Sequence, residues 1–171
     1  RLDIILKKHG AYYHPAQIEV HGDGQSIRFV CNIAVTATGQ QILSREYGLL
    51  RSLNTTRQSG LIPQVYALYE DTCARSGIKA AAFVGEWLDN FHEFHMAFDR
   101  AGRQHLEVWD STREHYFLSS DEMKELYRQV AQILTSFYNP ATSEHIFPWR
   151  HAAGDFVVRR RKKQIDVRLI T

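Results

Sequence analysis

An α+β chain is the expectation: a small antiparallel sheet carrying one helix, followed by a second helix and a β-hairpin. Three observations carry it. Two β-prone runs, 17–21 and 27–35, flank Gly22-Asp23-Gly24, whose Asp-Gly pair supplies the positive φ of a tight hairpin. Leu43, Tyr47, Leu50 and Leu53 then fall three or four residues apart, the spacing of one helix face. Near the end of the chain Ile165, Val167 and Leu169 alternate with Asp166, Arg168 and Ile170, the period of a strand.

Taken in order, the first hairpin leads into a helix over 39–53 with Glu46 on its apolar side, which a polar loop at 54–60 ends. Residues 63–69 and 80–84 read as two further strands joined through 71–77. The stretch 85–98 is rich in aromatics and histidines without a clean period, and 99–112 is polar with a turn at Ala101-Gly102, so neither is assigned an element. Ser119 or Ser120 followed by Asp121 and Glu122 is a helix start, with negative charge at the positive end of the dipole. The apolar stripe Met123, Leu126, Tyr127, Val130, Ile133, Leu134 and Phe137 runs on until Asn139-Pro140 stops it. The run 149–158, W-R-H-A-A-G-D-F-V-V, sets a His and an Asp just before a β-run, and the basic turn 159–163 leads into the last strand. The expected organisation is a β-rich part over 1–84 and a part over 85–171 holding the linker, the helix and the final hairpin. No internal repeat appears.

A length of 171 residues with 44% hydrophobic and 23% charged content is enough to bury a core. No apolar run approaches the roughly 20 residues of a membrane helix, and the opening R-L-D-I-I-L-K-K is too short and too charged for a signal peptide, so a cytoplasmic location without a membrane partner is expected. Cys31 and Cys73 make neither a disulfide framework nor a C-x-x-C metal pair. The net charge of +2 says little about partners, because much of the positive charge sits in 159–163. The chain begins at Arg and stops inside a strand-like run, which suggests a piece of something longer.

The order hairpin, helix, two strands, linker, helix, His/Asp loop and hairpin resembles the protein-kinase-like fold, in particular its choline-kinase and aminoglycoside-phosphotransferase branch. The resemblance implies ATP and magnesium as cofactors and a small hydroxylated molecule as substrate. It implies that Glu46 takes the place of the helix glutamate that pairs with a lysine of the preceding strand, where Asn32 stands in F-V-C-N-I-A-V. The hinge that holds adenine through backbone groups would fall at Gly85-Glu86-Trp87-Leu88. In the loop two mappings stay open. If Gly154-Asp155 is matched to the family's Gly-Asp, Asp155 is the catalytic acid-base residue. If Phe156-Val157-Val158 is matched to the following strand, Asp155 takes the metal-binding asparagine position and Ala153 replaces the catalytic aspartate. The register of the hairpin favours the second. His151 would belong to the catalytic loop, and the second metal-binding aspartate would fall at or just past Thr171, a poor ligand for a hard cation.

Each residue also has a structural reading. Glu46 can be a solvated or capping carboxylate, His151 a bond to the loop backbone, Asp155 a turn residue, and Glu86-Trp87 packing beside a surface charge. His92-Glu93-Phe94-His95 has a spacing of three, whereas zinc proteases need histidines four apart with the glutamate next to the first. The cations at 159–163 suggest a nucleic-acid patch, but at a hairpin tip they read better as a solvated turn, so nucleic acid is not the expected partner. A domain that keeps the kinase-like fold without catalysis, as a binding or scaffold module, is the alternative function.

Overall fold

The computed structural model describes residues 1–56, 60–110, 114–146, 155–162 and 164–170. The chain is α+β, and among the described residues all paired strands are antiparallel. It divides into two units, one formed by 1–56 with 63–88 and the other by 60–62 with the described residues from Asp89 onward.

The first unit is a five-stranded sheet in the order β1-β2-β3-β5-β4. Its strands are β1 (Leu2–Leu6), β2 (His14–Gly22), β3 (Gln25–Ala34), β4 (Val65–Thr72) and β5 (Lys79–Glu86), and helix α1 (Ala37–Thr56) lies between β3 and β4 in sequence. The β2-β3 turn forms at Asp23 and Gly24, whose φ values of 50° and 75° are those an Asp-Gly pair tolerates. Strand β1 is an element that the sequence reading did not assign. Its Leu2, Ile4 and Leu6 all stand exposed, so no polar-out alternation marks it.

Helix α1 starts where Thr36 offers both its groups, Oγ1 accepting from Gly39 N at 3.1 Å and the carbonyl from Gln40 N at 2.9 Å. It buries Leu43 and Leu50 and sets Tyr47 against Phe83 of β5, with ring centroids 6.0 Å apart. Register then identifies the sheet face that α1 covers. Phe83 is paired with Asn32 and Asn32 with Pro15, so all three point to the α1 side. The opposite face carries Ile4, Ile18 and Phe29 in one row and Leu2, Val20 and Ile27 in the next.

The second unit holds a three-stranded sheet, β6 (Phe94–Phe98), β7 (Gln104–Val108) and β8 (Tyr116–Phe117), then helix α2 (Ser120–Ser136) and the hairpin β9 (Phe156–Arg161) and β10 (Gln164–Leu169). The stretch read as having no element therefore holds the strands β6 and β7. Its β6-β7 turn is built on Asp99, whose carboxylate accepts from Ala101 N at 2.8 Å and Arg103 N at 2.9 Å. The α2 start follows the expected chemistry: Ser119 and Glu122 form a reciprocal capping box. Helix α2 packs on β10 and buries Leu126, Val130 and Ile133. Gln129 closes the outer edge of β10, giving Nε2 to the Ile165 carbonyl at 2.8 Å and taking Val167 N at 2.9 Å. Two backbone groups that an edge strand would leave open are satisfied that way. Among the described residues no helix is long and apolar enough to cross a membrane.

Candidate functional site

Two of the expected residues, Glu46 on α1 and Asn32 on β3, lie on the α1 side of the first sheet, and Tyr13 joins Glu46 there. Glu46, half-buried on α1, receives the hydroxyl of Tyr13 on both oxygens, at 2.9 and 3.2 Å. Tyr13 lies one residue ahead of β2, and nothing in the linear sequence singles it out, since 33 positions separate it from Glu46. Burial pushes the Glu46 carboxyl above its ordinary value of 4.5, and the Tyr13 hydrogen bond only partly offsets this. Burial, reinforced by the nearby carboxylate, also raises the Tyr13 phenol, so it stays a donor. Asn32 sits on the same side of the sheet by register and brings no charge to it.

This pairing makes a definite prediction. Tyr13→Phe should cost about 1–2 kcal/mol, because it leaves a partly buried carboxylate without its donor, whereas Glu46→Gln keeps an acceptor for Tyr13 and should cost little. The pH dependence has a fixed sign. A raised carboxyl pKa means the folded state holds the proton more tightly. Stability from this group is therefore fullest below the ordinary glutamate value of 4.5 and falls as pH rises through the raised one. Losing Tyr13 extends that fall to higher pH, and Glu46→Gln abolishes it. Urea denaturation of both variants between pH 4 and 8 checks the pair, and equal pH profiles would remove Tyr13 as the controlling partner.

The expected hinge begins inside a strand, since β5 runs through Glu86. The Glu86 N–H already donates to the Gln64 carbonyl at 2.8 Å, and its Oε2 accepts from Gln64 N at 3.1 Å. That N–H is spent within the sheet and is not offered to a base. The Trp87 ring lies under the Lys7 ammonium, 5.4 Å from its centroid, and Leu88 is half-buried.

Asp155 stands half-buried at the head of β9, its carbonyl accepting from Ile170 N at 2.8 Å. His151, Ala153, Gly154 and Thr171 lie outside the described residues. Among the described residues no three His, Cys, Asp or Glu side chains gather around one point. His92 and His95 have separate surroundings. His92 exchanges both backbone hydrogen bonds with Val158 and sets Nε2 3.6 Å from Asp110, whereas the His95 ring lies tilted against Trp109, with centroids 3.9 Å apart.

The basic hairpin differs from the solvated turn expected of it. Strand β9 extends through Arg161, and the turn is drawn in to Lys162, with φ 56°. The Arg159 side chain is only 17% exposed, gives Nε and Nη2 to Asp166, and lies 4.4 Å over the Phe91 ring. Arg160 lies 4.0 Å over Tyr116 and faces Glu122 at 3.6 Å. Beside these residues is a cavity of about 660 Å³, walled by Asn90, His92, Asp110, Glu114, Tyr116 and the three arginines 159–161. No sequence signal announces it, because its walls come from four separate segments, and the aromatic partners that fix the arginines are distant in the chain.

The sequence matches no protein-family model and no curated protein.

Proposed function

We propose that this chain is a kinase-like binding module that does not transfer phosphate. What carries the reading is the pair Asn32 and Glu46 on the α1 side of the sheet. Where the kinase-like family sets a lysine, Asn32 brings no charge, and Glu46 is held by the Tyr13 hydroxyl, with burial raising its carboxyl above the ordinary value. The order β3, α1, β4, β5 supports the architecture, and the Glu86 N–H bonded to Gln64 weakens the adenine hinge. Among the described residues no three His, Cys, Asp or Glu side chains gather to hold a metal ion, and no chemical step is assigned to a metal-bound nucleotide.

Each missing charge-assisted hydrogen bond is worth about 1.5–3 kcal/mol, or roughly tenfold to a hundredfold in affinity. The chain titrated calorimetrically with ATP and magnesium should therefore show a dissociation constant above about 1 mM. A second reading, phosphotransfer to a small hydroxylated substrate, is favoured by Asp155 at the head of β9. Binding near 10 μM, with ATP-dependent turnover that Asp155→Asn abolishes while the fold persists, would put that reading in place of ours.

A further inference from the structure

We propose that the cavity beside β9 binds a small phosphate monoester carrying hydroxyl groups, a ligand the size of a sugar phosphate. The proposal stands apart from the kinase-like reading, which uses none of these wall residues. A volume of about 660 Å³ lies within the ordinary range of small-molecule sites.

The phosphate end is set by the arginines. Arg160 lies over Tyr116 at 4.0 Å, with Glu122 in ion-pair range at 3.6 Å on one amino group, so its fork is held before a ligand arrives. Arg161, one residue further along β9, is exposed and has no ion pair among the described residues. Val158 spends both backbone groups on His92, so by strand alternation the next N–H on that edge is that of Arg160. Burial keeps the Tyr116 hydroxyl protonated well into the alkaline range, as a donor.

The hydroxyl end is set by the acidic and amide residues of the lining. Asp110 is 8% exposed, with His92 Nε2 3.6 Å away, and Asn90 and Glu114 also line the cavity. Carboxylate and amide oxygens there would repel a second phosphate but accept hydroxyl hydrogens. The same features argue against nucleic acid. Single-stranded recognition needs open aromatic faces and an unbroken basic track. Here Phe91 is covered by Arg159 at 4.4 Å and by Arg168 at 5.8 Å, Tyr116 is covered by Arg160, and Asp166, Glu122 and Asp110 interrupt the positive field.

The test titrates the whole chain, by calorimetry and amide chemical shift, with glucose 6-phosphate, inorganic phosphate, glucose and a single-stranded RNA oligonucleotide. Glucose 6-phosphate should bind about tenfold more tightly than phosphate or glucose alone, at a dissociation constant of about 0.1 mM. Arg160→Gln should weaken it about tenfold, and Arg160→Lys nearly as much, since a lysine keeps the charge but not the fork. Arg161→Gln should weaken it severalfold, and it carries the test if Arg160→Gln fails to fold after losing Glu122. Lys124→Gln, an exposed charge on α2, should change nothing. The proposal is overturned by affinity that survives both arginine changes, by equal losses in Lys124→Gln, by no saturation below about 10 mM, or by RNA that displaces the sugar phosphate.

Discussion

Phe156→Ala is expected to cost about 3–5 kcal/mol, the range for deleting a buried aromatic from a core that cannot collapse onto the space. Phe156 has no exposed surface, is paired with the buried Leu169, and shares a face of the hairpin with Val158 and Val167, also buried. Such a loss is a large fraction of the 5–15 kcal/mol that ordinarily holds a domain together. Urea denaturation should show the drop, and hydrogen exchange should show lost protection at the His92 and Val158 amides, which bond each other's carbonyls at 2.9 Å. By contrast Ile27→Ala, at a residue 59% exposed, should stay within about 0.5 kcal/mol. A loss below about 1 kcal/mol in Phe156→Ala would mean that the hairpin is not part of the core it appears in.

The elements legible in the sequence are those whose signals are local. Asp23-Gly24 declares its turn because few residues take positive φ cheaply, and Ser119 with Glu122 declares a helix start because the two cap each other within one turn. Strand β6 was illegible for the opposite reason. Met96 and Phe98, 57% and 70% exposed, stand on the same face as the buried Phe94, so apolar character in F-H-M-A-F does not follow burial. Strand β1 fails the same way, with exposed Ile4 and Ile5 side by side. Periodicity reports burial only where each exposed side is polar.

The site was less legible than the fold. Glu46 could be placed on an apolar helix face from spacing alone, but its partner Tyr13 comes from a loop ahead of β2 and is identified only by register and contact. The cations at 159–163 gave the opposite difficulty. Five successive basic residues suggest a solvated tip, yet strand continuation through Arg161 draws Arg159 under Asp166 and sets Arg160 on Tyr116. A charge run states what the residues are, and the strand end decides which of them meet solvent.

Two glycines of α1 should respond to the same substitution with opposite signs. In the middle of a helix, alanine is favoured over glycine by about 0.5–1 kcal/mol because it restricts the unfolded chain and adds no backbone exposure. Gly48 meets nothing within 4 Å of a built Cβ, so Gly48→Ala should gain roughly that amount. Gly39, in the first turn, has the Tyr12 carbonyl oxygen inside contact distance of its Cβ position and Thr36 Oγ1 at 2.9 Å. The hydroxyl could turn away at the expense of the cap, but the carbonyl is backbone and can move only with the segment that carries Tyr13. Overpacking of that kind costs about 1–3 kcal/mol, and displacing Tyr13 from Glu46 adds about 1, which together outweigh the helix propensity. Gly39→Ala should therefore lose about 2–3 kcal/mol in urea denaturation, and its fall in stability should extend to higher pH as expected of Tyr13→Phe. If Gly39→Ala gains stability as Gly48→Ala does, the segment ahead of β2 does not lie against the first turn of α1, and the Tyr13 to Glu46 bond loses its support.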